Sequence, residues 1–163
     1  GLYFLPDYDK EQVKKILENP NYFYAKIQED SFGILVGKTH PLNAHKTISL
    51  SSIKKYKIGL YGINNSPESP FLQAIFKNDV PQIDLCTDNM DLLIEAIKNN
   101  KIVVPTGLSN LKSQLLDHPD IAFLHLKNSK KSTLFSICKK SYYIENASTL
   151  NTFIEEFITY LGK

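Results

Sequence analysis

The chain has 163 residues, 42% of them apolar and 22% charged, which suits one compact domain or two small lobes and argues against wholesale disorder. No apolar run approaches the ~20 residues that cross a bilayer. No basic segment followed by an apolar one opens the chain, so no secretory signal is expected, and a net charge of +2 is too small to point to a nucleic-acid partner.

All 19 basic residues are lysine. Arginine is the usual means of gripping a carboxylate or phosphate with two parallel bonds. Any anion bound here must be held by lysine ammonium, hydroxyls or backbone N–H groups. Cys86 and Cys138 are far apart and form no CxxC pair, so they are not a disulfide framework and fit a reducing cytoplasm.

Strand-like and helix-like segments alternate along the chain, the pattern of an α/β fold. After the apolar Leu2 to Leu5, Asp9 and Gln12 have capping-box spacing ahead of Val13, Ile16 and Leu17. Asn19-Pro20 should stop that helix. Tyr22 to Gln28 alternates like a strand, and Phe32 to Val36 is a continuous apolar run suited to a buried one. Ser49 can cap a short helix carrying Leu50 and Ile53. Lys57 to Tyr61 reads as a strand, and Gly62 to Pro67 as a loop. Ser69 and Pro70 form an N-cap and first-turn pair for a helix with Phe71, Leu72, Ile75 and Phe76.

Ile83 to Cys86, a helix capped by Thr87 or Asp88, and Ile102 to Val104 make a βαβ unit whose strands should be parallel. Leu92, Leu93, Ala96 and Ile97 are expected on one face of its helix. Asn99 and Asn100 can end it, because asparagine tolerates the left-handed conformation. A short helix is expected over Ser109 to Leu116, and strands over Ile121 to Leu126 and Thr133 to Lys139. Ser148 or Thr149 should open the last helix, with Leu150, Phe153, Ile154, Phe157, Ile158 and Leu161 facing the core and Gly162 at its end.

Polar breaks at Lys38 to Thr47 and Lys127 to Ser132 bracket the central α/β block. The expected organisation is therefore a first lobe built from 1–46 and 127–163, with a second lobe, 47–126, inserted into it through two crossovers.

The sequence carries no nucleophile elbow, phosphate loop or dinucleotide fingerprint. His40, His45, His118 and His125 form no HxH or HExxH pair, so no metal, no cofactor and no enzymatic role is expected. Asp88 and Asp91 suit the first turn of a helix, where the macrodipole favours a carboxylate. Polar turns at strand ends are more informative. In open α/β sheets ligands bind outside the carboxyl ends of the strands. Three such ends, Tyr61 to Ser66, Thr87 to Asp88 and Pro105 to Gly107, offer hydroxyl, amide or backbone donors.

The order of strand Phe32 to Val36, then Lys38-Thr39-His40-Pro41-Leu42, then Ile48-Ser49-Leu50-Ser51-Ser52-Ile53 resembles the effector-binding domain of LysR-type transcriptional regulators. Thr87 to Pro105 resembles that family's following helix and strand, with Lys98-Asn99-Asn100-Lys101 where the family has a glycine-bearing turn. The resemblance implies a type II periplasmic-binding-protein-like fold with an incomplete first lobe, because the family's opening strand, helix and strand and its helix-turn-helix have no counterpart before Gly1 to Leu5. It implies a small-molecule effector, no cofactor, a homo-oligomer, a cytoplasmic location, no membrane, and DNA contact only through a domain outside this sequence. The ligand wall would use Gly62, Ile63, Asn64 and Ser66, with Thr87 and Thr106. The alternative carried beside it is a solute-binding protein of a transport system with the same two-lobe fold.

Overall fold

In the computed structural model the chain runs as strands β1 (Leu2–Pro6), β2 (Tyr22–Gly37) and β3 (Thr47–Ile48), helix α1 (Leu50–Ile53), β4 (Ile58–Tyr61), α2 (Pro70–Phe76) and β5 (Ile83–Thr87). It continues through α3 (Met90–Lys98), β6 (Val104–Gly107), β7 (Ile121–Leu126), β8 (Lys131–Lys139) and α4 (Lys140–Gly162). The structure describes residues 2–6, 14–15, 17–62, 69–77, 79–107, 115, 117–129 and 131–162. The capping pair Asp9 and Gln12 and most of the helix expected over Ser109 to Leu116 lie outside them. The chain divides into two compact units, 1–30 with 130–163 and 31–129. No helix among the described residues is long and apolar enough to cross a membrane.

The first unit holds β1, β8 and the opening half of β2. β1 runs antiparallel to β8, from Leu2 opposite Ser136 to Pro6 opposite Ser132, and β8 is also neighbour to β2. Ile27 and Leu134 pack with Phe157 of α4, and Leu17 packs on Phe135 and Ile137. The expected apolar stripe of α4 is only partly inward: Ile154 is buried, whereas Phe153 and Ile158 are exposed. The helix also begins eight residues before Ser148. It bends at Asn146, whose backbone leaves helical geometry (φ −127°) while its amide donates to the Tyr142 carbonyl at 3.0 Å.

Tyr22 to Gln28 and Phe32 to Val36 are one strand, not two. Glu29, Asp30 and Ser31 are polar but stay extended, and Asp30 is buried. The second half of β2 pairs with β6 on one side and β7 on the other. Phe32 to Val36 and the His40 turn fall within the unit 31–129.

In the second unit β7 pairs in parallel with β3, and β4 with β5. The β4–β5 pair joins β6 through a parallel bridge, Ile58 to Val103, closed by Gly59 N–H to the Val103 carbonyl and Val103 N–H to the Lys57 carbonyl, both 2.9 Å. The order is therefore β5-β4-β6-β2-β7-β3. β5 and β6 are parallel as expected, but β4 lies between them. Ile34, Val36, Ile58, Leu60 and Val103 face Leu72, Ile75 and Phe76 of α2 on one side. Leu35, Ile102, Val104 and Ile121 face Leu93 and Ile97 of α3 on the other. Burying a Leu or Ile side chain contributes about 1.5–3 kcal/mol, so these two layers supply the main apolar stabilisation of the unit.

Local caps explain the helix limits. Ser49 accepts from Ser52 N–H and Ser69 from Leu72 N–H, as the sequence led one to expect. The α3 cap is Asn89 rather than Thr87 or Asp88: its side chain accepts from Leu92 N–H at 3.1 Å. At the other end Asn100 takes φ 55°, its N–H bonds to the Ile97 carbonyl, and Lys101 N–H reaches back to Ala96. This is the Schellman arrangement, built with asparagine where glycine is commoner.

The His40-Pro41-Leu42 segment is structural. His40 caps the 3-10 turn Pro41–Ala44, with its Nδ1 accepting from Leu42 N–H at 3.2 Å and its ring 4.6 Å from that of Tyr56. Burial lowers the His40 pKa below its ordinary 6.5. The unfolded state therefore takes up a proton before the folded state does as pH falls. His40 is expected to cost stability as pH drops below about 6.5, with the loss levelling off below the folded pKa. Urea titrations of the parent and His40→Asn between about pH 7.5 and 5 check this, since asparagine keeps a cap acceptor without titrating. The stability difference should move in favour of the variant as pH falls.

Candidate functional site

Of the six strands described in the second unit, β5, β4, β6, β7 and β3 end at the same edge of the sheet; β2 is antiparallel to them and its second half starts from there. The chain leaves β4 through α2 to β5 on one side, then crosses through α3 to β6 on the other. α2 and α3 cover opposite faces. This is a topological switch point, where open α/β sheets place their ligands.

β4 ends in Tyr61, exposed, and Gly62. Gly62 has φ 95°, a conformation that side-chain-bearing residues rarely adopt. Its N–H donates to the Thr87 carbonyl at 2.7 Å, extending the β4–β5 ladder by one bond. Its carbonyl accepts from the Cys86 thiol at 3.0 Å. Cys86 and Cys138 are both free thiols.

β5 ends in Thr87, which is buried. Its Oγ1 accepts from Asn89 N–H at 3.0 Å and so shapes the entry to α3. A hydroxyl that accepts one bond can still donate another. β6 carries Thr106, half-buried, whose Oγ1 donates to the Gly107 carbonyl at 3.2 Å and so keeps acceptor capacity. Thr106 and Tyr61 each stand three residues beyond the Ile58–Val103 bridge, which puts them level on parallel strands.

Gly62, Thr87 and Thr106 thus share one edge, and Gly62 bonds directly to Thr87. Ile63, Asn64 and Ser66 lie outside the described residues. Two edge residues were not anticipated. Ser31 on β2 and His125 on β7 meet at 3.5 Å, Oγ to Nδ1. The His125 ring stands edge-on to Phe123, centroids 5.0 Å apart. The outward position of His125 could be read from the alternation of Ile121 to Leu126. The place of Ser31 could not, because it depends on β2 running against its neighbours.

The floor beneath them is Gly33. A Cβ there would lie 2.2 Å from the Phe123 ring and 2.5 Å from the Leu124 carbonyl oxygen. The edge is thus a row of hydroxyl, imidazole, thiol and backbone groups above a closely packed sheet, suited to hydrogen-bonding a small polar molecule. Among the described residues no group of three or more His, Cys, Asp or Glu side chains could hold a metal ion.

No protein-family model and no curated protein sequence matches the chain. Solved structures do match. The reduced regulatory domain of OxyR from Pseudomonas aeruginosa aligns over 99% of this chain and 70% of its own, with TM-score 0.68 and 11% identity. The effector-binding domain of a BenM variant aligns over 94% of this chain and 79% of its own, with TM-score 0.62 and 18% identity. CbnR in complex with its target DNA aligns over 80% of this chain, with TM-score 0.58 and 17% identity. The chain matches only 50% of the length of that CbnR chain. The fold is that of LysR-family regulatory domains, mixed α/β and periplasmic-binding-protein-like.

Proposed function

We propose that this chain is the effector-sensing part of a LysR-type transcription regulator, with no catalytic chemistry of its own. The observation that carries the reading is the switch point of the second unit: Gly62, Thr87 and Thr106 at one edge of a sheet whose fold is shared with LysR-family regulatory domains. A small effector would be held there by hydroxyl and main-chain groups, with Ile63, Asn64 and Ser66 as further contacts and Ser31 and His125 beside them. The two units, 1–30 with 130–163 and 31–129, are the two lobes of this reading. Effector binding would favour one of two arrangements of a cytoplasmic homo-oligomer, and DNA would be contacted through a helix-turn-helix outside this sequence.

A metabolite library screened by thermal shift tests it. At about 100 times its Kd an effector adds about 2.7 kcal/mol to folding stability, and the shift should shrink in a Thr87→Val, Thr106→Val variant. A library that stabilises nothing, or a ligand whose shift is untouched by both substitutions, would count against the reading.

A further inference from the structure

We infer that the first unit carries a second ligand site, an open cavity between the turn before β2 and the start of α4, which takes a small organic anion with an apolar body. The open cavity has a volume of about 630 Å³, within the span of about 300–1,000 Å³ typical of small-molecule sites. It shares no residue with the switch point of the second unit.

Both walls are fixed by the chain itself. Asn19 Oδ1 accepts from Asn21 N–H at 3.0 Å, and Tyr22 N–H donates to the Asn19 carbonyl at 3.1 Å, which closes the turn. Lys140 N–H donates to the Asn21 carbonyl at 2.8 Å and ties the first residue of α4 to that turn. Phe23 and Tyr143 stack with their ring centroids 3.5 Å apart just behind the contact. The cavity therefore exists before any ligand arrives, which lowers the ordering cost of binding.

Its lining sets the chemistry. Lys139 and Lys140 bring two ammonium groups, Ser141 and Tyr22 bring hydroxyls, and none of the described lining residues is acidic. Glu18, next to the turn, pairs with Lys14. In a chain without arginine this is the available way to hold an anion, through point charges and hydroxyl donors. The apolar side is Pro20 and Ile144. Ile144 is 70% exposed, the highest value among the large hydrophobic residues described. A ligand with a charged head and a hydrocarbon body would engage the lysines and cover Ile144 together. Two lysines around a volume of this size suit one small molecule rather than a nucleic-acid strand, which needs a longer basic track.

Amide chemical-shift titrations of the whole chain test the site, with phenyl phosphate and hexanoate as probes and phenol and inorganic phosphate as controls. At least one probe should give saturable shifts at residues 19, 21, 22 and 139–144, and each control should bind about tenfold more weakly. Lys139→Gln with Lys140→Gln should weaken the probe by about tenfold. Ile144→Ser should weaken the probe but leave inorganic phosphate unchanged. These side chains are exposed, so the fold should survive all three substitutions. Failure of both probes to saturate by about 10 mM, shifts confined to other residues, or undiminished affinity in the double lysine variant would overturn the site.

Discussion

Gly33→Ala is expected to destabilise the second unit by about 3 kcal/mol, at the upper end of ordinary overpacking costs. The added methyl would meet two different obstacles, the Phe123 ring at 2.2 Å and the Leu124 carbonyl oxygen at 2.5 Å. The ring can turn aside, but the carbonyl belongs to the β2–β7 ladder, where Ile34 lies opposite Leu124 and Gly33 opposite His125. Pairing Gly33→Ala with Phe123→Ala separates the two. The ring contribution should be recovered as a coupling energy in a double-mutant cycle, while the ladder contribution remains. Urea denaturation followed by far-UV circular dichroism measures both. A Gly33→Ala chain within about 0.5 kcal/mol of the parent, the usual span for uncoupled surface substitutions, would show that Phe123 does not lie on the sheet as described. Because Phe123 also supports His125, the same substitution should alter the environment of the His125 ring.

Leu93→Ala should cost about 2–5 kcal/mol, the range for truncating a fully buried leucine. Leu93 has no exposed surface and sits in the layer formed by Leu35, Ile97, Ile102, Val104 and Ile121. Its neighbour supplies the control. Leu92 is 50% exposed, so Leu92→Ala should change stability by no more than about 0.5 kcal/mol. The contrast is informative because periodicity alone put both leucines on one inner face. An equal loss for the two would mean that α3 is rotated about its axis relative to the arrangement described here.

Legibility in the sequence followed how local each determinant is. Ser49 and Ser69 announce their helices because a cap needs only the next three residues. Asn100 announces the end of α3 because few residues other than glycine accept φ 55°. The strand Ile121–Leu126 was legible to the residue. The errors came from elements whose limits depend on distant partners. The polar Glu29-Asp30-Ser31 step looks like a break but stays within β2, which neighbours β8 and pairs with β6 and β7 from Phe32 onward. Lys140 has no capping signal, so the sequence points to Ser148 or Thr149 as the start of α4, just after the bend at Asn146; the cap-like residues mark where the helix resumes.

The candidate site shows the same division. The strand-end positions of Gly62, Thr87 and Thr106 were legible from local chemistry, and their contact with a ligand belongs to the proposed function. Thr87 was assigned the wrong local role: its hydroxyl accepts from Asn89 N–H, and Asn89 caps the helix. The Ser31–His125 pair joins residues 94 apart in sequence, and only strand order brings it to the edge.

Backbone amide mapping of the isotope-labelled chain with a stabilising metabolite addresses the proposed effector site most directly. Saturable shifts should concentrate at Gly62, Thr87, Thr106 and His125 and follow one binding curve. A metabolite that saturates the protein while those four amides stay still would contradict the account.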